Sequence, residues 1–590
     1  MMNNKIILFF VIACGFMCSS TLYAQQKINP TLEVRRNFDG KMLEINKSKL
    51  NTYVADSLSN FNLNFNYSIF DKPYRDMYEF TPLPSAKIHS PVSAKYPVFM
   101  ANVGLGVPLN PNVELYFQPR LSKQNNTVLV KAFYNSFWGD IPLVGITNKY
   151  KTAEFDDKVA ADNYVVGAGA YYGHTWKGGR LNLGVDYSSN YYTYYGFSEY
   201  TLTEDLFNLM DNKYMRDNFS HTFNKFAANF NINSVDAQGK GAKFNYNFYA
   251  SFQNTSDKIA LNSSSNNKFN ENLFKVGGEF GPTFGKYNKF LIGINSETAI
   301  YSGFTDYHYG IIEFIPQYKF ERKRLVLNIG AKLSGRYTNN DYATEYHSTF
   351  APHVTVSYAI AKNNLWVYGI ADGGNSINSY SSLLDKNKWV VPSDNIMASS
   401  IPLLIKGGLK GKAYDKFSYE VYASYTIHKG LMQFINNSSG NRFLTAYSNH
   451  KELSFGGEVN WIAKEFTGGL KAKYSSYTKG KNSTIENGHT PYGYAPFEGT
   501  IYGEYNWRER IYIGADMYFR SATPFYNVTY INDNPKVTEF FNLGVTAKYV
   551  INNNFTVYIQ GSNLLNANIQ YYSFYLEKGI NFGAGVMIKF

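Results

Sequence analysis

A strict alternation of apolar and polar residues runs through much of the chain and continues to its last residue. In 416–429, KFSYEVYASYTIHK, every second residue is apolar or aromatic, and polar residues fill most of the positions between them. The segments 324–337, 510–520, 541–551 and 579–590 alternate in the same way. A period of two is typical of a β-strand with one apolar face. Each segment is close in length to a tilted membrane-spanning strand, which has about 9–11 residues.

After the N-terminal residues, no stretch approaches the about 18 consecutive apolar residues of a membrane-spanning helix. The alternation therefore leaves a secreted β protein or a membrane β-barrel, in which every second residue faces the lumen. A β-propeller, the main soluble alternative, would need a motif repeated in each blade, and the sequence shows none. The 52 tyrosines and 45 phenylalanines suit aromatic girdles at the membrane interfaces, and ordinary strand propensity also accounts for them. We predict an all-β fold, a transmembrane antiparallel β-barrel.

Short turns and long loops alternate along the chain. Tight turns are predicted at about ten positions, spaced by roughly 35–60 residues, with a longer segment rich in Tyr, Asn and Ser between neighbouring turns. This is the pattern of outer-membrane barrels. About ten turns join about eleven hairpins, which predicts about 22 strands and a lumen wide enough to need a plug. The predicted turns are 123–126, 177–180, 237–240, 285–288, 321–324, 361–364, 412–415, 463–466, 507–510 and 551–554.

The N-terminus has the features of a secretory signal peptide, which we place at residues 1–24. A lysine precedes an apolar run that extends to Cys18, and cleavage is expected after Ala24. Both cysteines of the chain, Cys14 and Cys18, lie in this segment, so cleavage would leave a mature chain without disulfides. The sequence VIAC would also allow Cys14 to be the lipidated first residue of a lipoprotein, but the apolar residues after it argue against this alternative.

Residues 25–97 differ from the rest of the chain. They are polar and charged, have little sustained periodicity, and are punctuated by prolines near their end. We interpret them as an extended periplasmic or lumenal segment. The barrel is predicted over residues 98–590, with its first strand in VFMANVGLGV.

The last segment, GINFGAGVMIKF, ends on an aromatic residue. Phe582, Val586, Ile588 and Phe590 share its apolar face. In a closed barrel the final strand pairs with the first and leaves no open edge. An apolar face that ends on an aromatic also resembles the C-terminal insertion signal of bacterial outer-membrane proteins, which the barrel-assembly machinery reads. We predict a location in the bacterial outer membrane, with outer-membrane lipids and this machinery as partners.

Residues 541–590 resemble the C-terminal end of TonB-dependent receptors. The shared features are a strand, an Asn-rich turn, a second strand, the motif NLLN at Asn563–Asn566, a short loop and a terminal strand ending in Phe. The resemblance implies a receptor-like barrel for solute passage. The segment 25–97 is too short for a receptor plug, and it shows neither an IRG-type motif nor a TonB box. The stretches PTLEVRRNFDGKMLEINK and MANVGLGVPLNPNVELYFQPRLSK resemble a group of plugless, receptor-like barrels of Bacteroidetes envelopes. The missing plug weakens the case for TonB-coupled transport.

Catalytic and metal-binding patterns are weak. The nine histidines are scattered without metal-ligand spacing, and Asn/Asp clusters lack the pattern of a calcium loop. We expect no enzymatic activity, no metal and no cofactor. The formal charge of +12 would attract anionic solutes or the anionic sugars of the outer leaflet, and an exported chain is not expected to bind nucleic acid.

If the apolar faces meet lipid, the opposite faces carry charges of both signs into the lumen. A hydrated or plug-contacting interior would account for them, and so would an ordinary solvated face. The predicted lumen-facing residues are Lys332, Glu420, His428, Glu458, Lys471, Lys473, Asp516, Arg520 and Lys548.

Two functions remain open from the sequence. The first is solute or nutrient passage across the outer membrane, with residues 25–97 as a gate and with or without a surface lipoprotein as partner. The second is a non-transporting structural or assembly subunit of an outer-membrane complex, with residues 25–97 filling the lumen or docking a periplasmic partner. The receptor-like barrel favours the first function.

Overall fold

The structure is a computed structural model of the 590-residue chain. The predicted signal peptide, 1–24, and residues 25–96 lie outside the described residues. The structure describes residues 97–590 with the exception of 123–124, 143–157, 197–218, 235–242, 260–266, 286, 304–305, 340–343, 362–363, 394–395, 415, 438–440, 481–489 and 527–534.

Nearly all of the regular structure is β-strand. The elements are β1 (Phe99–Val107), β2 (Asn112–Phe117), β3 (Asn126–Phe137), β4 (Asp140–Pro142), β5 (Lys158–Ala160), β6 (Asn163–Trp176), β7 (Gly179–Thr193), β8 (Ser220–Ser234), β9 (Phe244–Ile259), β10 (Asn267–Phe284), β11 (Asn288–Ser302), β12 (Tyr307–Arg322), β13 (Leu325–Asn339), β14 (Thr344–Ala361), β15 (Leu365–Ser376), α1 (Tyr380–Lys386), β16 (Ser399–Ala413), β17 (Phe417–Asn436), β18 (Phe443–Ile462), β19 (Phe466–Lys479), β20 (Phe497–Trp507), β21 (Ile511–Arg520), β22 (Thr523–Pro524), β23 (Lys536–Val537), β24 (Phe540–Val550), β25 (Phe555–Ser562), β26 (Gln570–Tyr572), β27 (Tyr575–Leu576) and β28 (Asn581–Lys589).

One antiparallel sheet of 22 strands closes on itself to form a barrel. Each strand pairs with the next along the chain, and β28 pairs with β1 from Met100 opposite Lys589 to Val107 opposite Phe582. The predicted closed barrel of about 22 strands is confirmed. The remaining strands form three small hairpins, β4–β5, β22–β23 and β26–β27, in connections between barrel strands.

The predicted tight turns lie between neighbouring barrel strands at one end of the barrel. The turn 237–240 lies outside the described residues, as do residues 123–124, 286, 362–363 and 415 of four other turns. Three of these turns reverse the chain through non-glycine residues with positive φ: Lys323 at 30°, Tyr414 at 54° and Arg508 at 53°. The connections at the other end include the longer segments 377–398 and 563–580. In outer-membrane barrels the short turns face the periplasm, so the long loops of this chain face the cell exterior.

Alternate residues of each barrel strand lie on opposite faces of the wall. On β13, Ile329 and Leu333 are each 49% exposed, while Lys332 and Ser334 are only 6% and 4% exposed. The same contrast follows the wall round the barrel, so exposed apolar side chains form a continuous outer belt. A closed barrel with such a belt satisfies its backbone hydrogen bonds and meets lipid. The architecture therefore indicates the bacterial outer membrane.

Among the residues that the structure describes, helix α1 has seven residues. Within the part of the chain that the structure describes, no helix is long and apolar enough to cross a membrane.

Many inner-face tyrosines lie over glycines of the neighbouring strand. Tyr422 is directly opposite Gly456, and Tyr558 is directly opposite Gly585. At either glycine, an added Cβ would lie 2.4 Å from a tyrosine atom. A ring can cover the backbone closely only where the opposite residue has no side chain, which is how an aromatic residue rescues a strand glycine. Part of the high tyrosine content therefore serves the inner wall, and not only the membrane interfaces.

We expect Gly456→Ala to destabilise the barrel by about 1–3 kcal/mol, the usual cost of overpacking. The Tyr422 ring cannot move away freely, because the ammonium of Lys406 lies 3.9 Å from its centroid. The matched control is Gly369→Ala, since an added Cβ at Gly369 meets nothing within 4 Å. The measurement is urea unfolding of the folded barrel in detergent. Equal midpoints for the two variants would show that the close Tyr422–Gly456 contact does not constrain residue 456.

Candidate functional site at the loop-side mouth

Residues 377–398, here called the mouth segment, connect β15 to β16 and contain α1. The side chain of Ser379 caps α1 by accepting a hydrogen bond from the N–H of Ser382 (3.3 Å). Tyr380, Leu383 and Leu384 lie on one side of the helix, and each is 0% exposed. Serine is a good N-cap, and apolar residues spaced by three and four positions give the helix one buried face. This helix therefore forms because its apolar side packs into the barrel.

One wall of the barrel holds the mouth segment through strands β8 to β12. The ammonium of Lys225 on β8 donates to the carbonyl of Ser381 (3.0 Å) and pairs with Asp385. The hydroxyl of Tyr309 on β12 donates to the carbonyl of Asn378 (2.9 Å).

The start of β18 also holds the mouth segment, as does the end of β7, which neighbours β8. The N–H of Phe443 donates to the carbonyl of Trp389 (3.0 Å), and the N–H of Val391 donates to the carbonyl of Phe443 (2.9 Å). The indole N–H of Trp389 donates to the carbonyl of Thr193 (3.0 Å). Strands β8 and β18 are nearly half-way round the barrel from each other. A segment that contacts both must cross the barrel, so the mouth segment spans its loop-side mouth.

The connection 563–580 between β25 and β28, here called the last loop, supports the mouth segment. The ring of Tyr575 stacks on Trp389 with centroids 3.8 Å apart, and the hydroxyl of Tyr572 donates to the carbonyl of Lys386. These residues and the mouth segment belong to one buried cluster, which also includes aromatic residues of the upper inner wall. The main apolar core of the described residues thus lies across the mouth of the barrel.

The motif NLLN forms the corner at which the last loop begins. Asn563 and Asn566 adopt positive φ angles of 49° and 48°, which asparagine tolerates better than most residues. The amide side chain of Asn563 accepts from the N–H of Ala567 (2.9 Å) and donates to the carbonyl of Lys578 (3.0 Å). The motif on which the family resemblance depends therefore has a structural role, because it closes the base of the last loop.

Three ionisable residues of the wall are completely buried beneath the mouth segment. The carboxylate of Glu271 on β10 accepts from the N–H of Ser381 (3.0 Å) and from the N–H of Tyr380. The carboxylate of Asp257 on β9 accepts from the Tyr380 hydroxyl (2.5 Å) and contacts Nδ1 of His221 (3.2 Å). Asp257, Glu271 and His221 are 0–2% exposed. These contacts form a polar latch between α1 and the wall.

Part of the polar latch carries a free-energy cost while the mouth segment is in place. Oδ1 of Asp257 and Nε2 of His221 are buried without a hydrogen-bond partner. Buried polar atoms without partners and buried charges both cost free energy, and this cost disappears when water reaches them. Burial, together with the nearby Asp257 carboxylate, raises the pKa of Tyr380 well above its usual value, so its phenol remains a donor.

The last loop also carries two ionisable residues with shifted pKa values. Burial raises the pKa of Glu577 to about 7 and lowers the pKa of the neighbouring Lys578 to about 8. The ammonium of Lys578 lies 4.5 Å from the centroid of the Phe137 ring. Both groups therefore titrate closer to neutral pH than usual.

Most of the charged residues predicted to face the lumen have partners of opposite charge on neighbouring strands. Glu452 collects two of them, because its carboxylate contacts Nε2 of His428 at 3.0 Å and the ammonium of Lys473 at 2.9 Å. The other pairs are Lys332–Asp372 at 2.8 Å, Lys406–Glu420 at 3.4 Å, Arg520–Glu498 at 3.3 Å and Lys548–Glu504 at 3.6 Å.

Three of the predicted residues have other surroundings. Glu458 accepts from the amide of Asn460 (2.8 Å) and is directly opposite Lys471 in the β18–β19 register. Oδ1 of Asp516 is buried without a hydrogen-bond partner. The structure therefore brings His428 and Lys473 together at Glu452, and it places Glu420, Glu458 and Lys471 in one row across β17, β18 and β19. Among residues 97–590 as described, no three His, Cys, Asp or Glu side chains are grouped as they would be to hold a metal ion.

The mouth segment is the part of the site that the sequence analysis missed. Its local signal is present in SYSSLLDK, where a serine N-cap precedes Tyr380, Leu383 and Leu384 at helical spacing. This helical spacing interrupts the alternation of apolar and polar residues in the strands on either side. The contacts across the barrel, in contrast, have no local signal, because they join residues far apart in sequence.

No protein-family model matches the chain, and no curated protein matches it. Solved structures do match. The FrpB iron transporter from Neisseria meningitidis (F3-3 variant) has a TM-score of 0.63 at 12% identity over 84% of this chain and 82% of that one. The copper transporter OprC has a TM-score of 0.59 at 10% identity over 83% and 80%.

The ferric-catecholate import receptor Fiu from K12 E. coli is a further structural neighbour, with a TM-score of 0.59 at 10% identity over 84% of this chain and 82% of that one. These neighbours are TonB-dependent receptors with a barrel of 22 strands. At such low identity the likeness concerns the fold alone. The chain thus has the barrel fold of TonB-dependent receptors, as the resemblance of its C-terminal residues predicts.

Proposed function

We propose that the protein passes a solute or nutrient across the bacterial outer membrane through the lumen of its barrel. The observation that carries this proposal is the mouth segment, which spans a wide barrel and is held there by a polar latch. A barrel that served only as a scaffold would not need a mouth segment that can be displaced, whereas a barrel that passes solutes would. The structural neighbours named as an iron transporter, a copper transporter and a ferric-catecholate import receptor share its fold.

Residues 25–97 are the second barrier in this proposal. They are polar, they precede the first strand, and they are too short for a receptor plug. We assign them a place in or below the lumen, where they restrict flow or contact a periplasmic partner. On the sequence resemblance alone, we place the chain among plugless, receptor-like barrels of Bacteroidetes that act without an enzyme activity of their own.

The charges of the chain indicate which kind of solute and which partner we propose. The inner wall pairs most of its charges across strands, which leaves a hydrated surface of mixed sign. The formal charge of +12 favours anionic solutes at the mouth. A surface lipoprotein is the partner that we propose for delivery of the solute. In the part of the chain that the structure describes, no feature favours a purely structural subunit instead.

The test is the conductance of the purified mature protein in a planar bilayer. The full mature chain is expected to conduct weakly, because the mouth segment and residues 25–97 act as barriers in series. Removal of residues 25–90 is expected to raise the conductance, and addition of the missing segment as a peptide should lower it again. A truncated barrel that is folded and conducts no more than the full chain would show that residues 25–90 are not a gate.

A further inference from the structure

The tight turns at the periplasmic end of the barrel, with the strand ends beside them, carry many basic side chains. Two or three exposed basic residues lie at each of the turns β12–β13, β16–β17 and β20–β21. They are Arg322, Lys323, Arg324, Lys412, Lys416, Arg508 and Arg510. Three other turns add Lys177, Lys243 and Lys464, which are exposed as well. These residues are here called the basic collar, which extends from the β6–β7 turn to the β20–β21 turn.

The basic collar has few acidic neighbours. Among the described residues, the exposed acidic side chains of the same turns are Glu321, Glu465 and Glu509. No collar residue forms a salt bridge with another described residue. The ion pairs begin deeper in the wall, with Lys319–Glu279 at 3.1 Å and Lys548–Glu504 at 3.6 Å. Most of the positive charge of the collar therefore faces whatever approaches this end of the barrel.

Much of the basic collar borders the lumen and not the lipid. Lys412 lies on β16 with the same parity as Lys406, which contacts Glu420 on the inner face. Three collar residues directly precede strands at positions that continue the inner face, namely Arg324 before β13, Lys416 before β17 and Arg510 before β21. Arg322, in contrast, continues the outer face of β12, which carries the exposed Tyr318. Because lipid headgroups border the outer face, the inner positions of the collar surround the exit of the lumen.

The width of this exit limits what the whole collar can bind. Neighbouring strands lie about 4.8 Å apart, so a wall of 22 strands has a perimeter of at least about 105 Å and an opening roughly 30–40 Å across. Charges act over about 8 Å at physiological ionic strength, so a small anion would interact with one turn at a time. A folded domain over the exit would meet several turns at once. A disc of this width also has close to the area of about 800 Å² that one partner contributes to a standard interface.

An acidic protein surface fits this arrangement, because opposite charges around a docking face speed association and fix its orientation. We propose that the basic collar docks the acidic face of a periplasmic protein at the exit of the lumen. Lipid phosphates and small anionic solutes also reach this end of the barrel, and the tests separate them from a protein. Docking does not require transport, so its outcome is independent of the conductance experiments.

The first test measures the binding of labelled poly-L-glutamate to the full mature protein in nanodiscs of phosphatidylcholine. A polymer of about 50 residues spans roughly 40 Å as a flexible chain and reaches across the exit, whereas tetraglutamate reaches a single turn. The triple variant Arg324→Glu, Lys416→Glu and Arg510→Glu is expected to weaken binding of the polymer at least about tenfold, because its inner positions then repel the polymer.

The matched control reverses three exposed lysines at the loop-side end of the barrel, in the triple variant Lys258→Glu, Lys268→Glu and Lys536→Glu. It changes the net charge equally and should bind the polymer like the unaltered protein. Weakened binding in the collar variant alone supports the proposal. Equal weakening in both variants, or equal affinity for tetraglutamate and the polymer, would overturn it. A collar variant that binds the polymer normally but retains less phosphatidylglycerol in native mass spectrometry would assign the collar to lipid headgroups and overturn it too.

The second test looks for the protein itself in cells. A photo-crosslinking residue is introduced in place of Tyr414, which is 96% exposed and lies between Lys412 and Lys416. The expected adduct contains a periplasmic protein that mass spectrometry identifies and whose sequence is acidic. It should form in the unaltered chain and in the loop-side control, and be lost in the collar variant. Absence of an acidic adduct, or its persistence in the collar variant, would contradict docking at the collar.

Discussion

Replacement of residues 377–398 by a short Gly–Ser linker is expected to raise the single-channel conductance of the mature protein on the order of tenfold, since a barrier across a wide lumen is removed. The mouth segment contacts walls that lie nearly half-way round the barrel from each other. A short linker cannot reach across the lumen, so the replacement leaves the mouth open. The wall itself should persist, because the strands that flank the segment pair with each other directly.

A point variant tests the same barrier without altering the length of the chain. Leu383, Leu384 and Trp389 anchor the mouth segment in the buried cluster. Each truncation to alanine costs about 2–5 kcal/mol in a packed core. The triple variant Leu383→Ala, Leu384→Ala and Trp389→Ala should therefore favour an open mouth. The control is Met397→Ala, since Met397 belongs to the same segment but is 47% exposed.

Two barriers in series add their resistances, which separates the mouth segment from residues 25–90. Removal of either should raise the conductance, and removal of both should raise it more than either alone. Folding of each form is checked by its heat-dependent mobility on gels, which is typical of intact barrels. A folded protein that lacks residues 377–398 and conducts like the unaltered chain would exclude the mouth segment as a barrier, whatever the result for residues 25–90.

The strand count and the turn positions could be predicted because their causes are local. Alternation follows from the opposite faces of a strand, and short turns need residues such as Gly, Asn and Lys at a few adjacent positions. The prediction that nine charged residues face the lumen rests on the same parity. Their partners could not be predicted in this way, because the pairing of Glu420 with Lys406 depends on the register between β16 and β17. A shift of β17 by one residue would have moved Glu420 to the other face, away from Lys406.

The mouth segment shows the other limit of prediction from sequence. Its helix has a local signal at Tyr380, Leu383 and Leu384, but the surface that buries the helix consists of residues from many strands. Glu271 and Asp257 illustrate this limit, since each occupies an ordinary inner position in an alternating strand. Only the folded barrel shows that both residues accept hydrogen bonds from the same helix, which is distant from them in sequence.

Loss of Phe590 is expected to prevent most of the protein from reaching the outer membrane in cells. We predict that Phe582, Val586, Ile588 and Phe590 form the C-terminal insertion signal, and the structure gives the last residue a second role. The N–H of Phe590 donates to the carbonyl of Phe99 (2.9 Å), and the N–H of Phe99 donates to the carbonyl of Phe590 (3.1 Å). The Phe590 ring also contacts Phe555 edge-on, with centroids 6.0 Å apart.

Two variants separate the signal from the closure of the barrel. Phe590→Ala keeps the backbone hydrogen bonds to Phe99 and removes the ring, whereas deletion of Phe590 removes both. If the ring is the signal, Phe590→Ala should lower the amount of folded protein in the outer membrane to about a tenth or less, and yet refold in detergent with nearly unchanged stability. The deletion should in addition lower the stability in detergent by about 1–3 kcal/mol, because the three backbone hydrogen bonds of Phe590 with Val98 and Phe99 are lost.

Phe555→Ala is the matched control for the Phe590→Ala variant, because it removes the other half of the same aromatic contact from a strand that is not terminal. A signal at the C-terminus is not altered by this substitution, so the Phe555→Ala protein should reach the outer membrane in normal amounts. If both variants fail equally in cells, the contact itself is what assembly requires, and the insertion-signal interpretation is wrong. If only Phe590→Ala fails, the aromatic end of the chain acts before the barrel closes, as recognition by an assembly machinery demands.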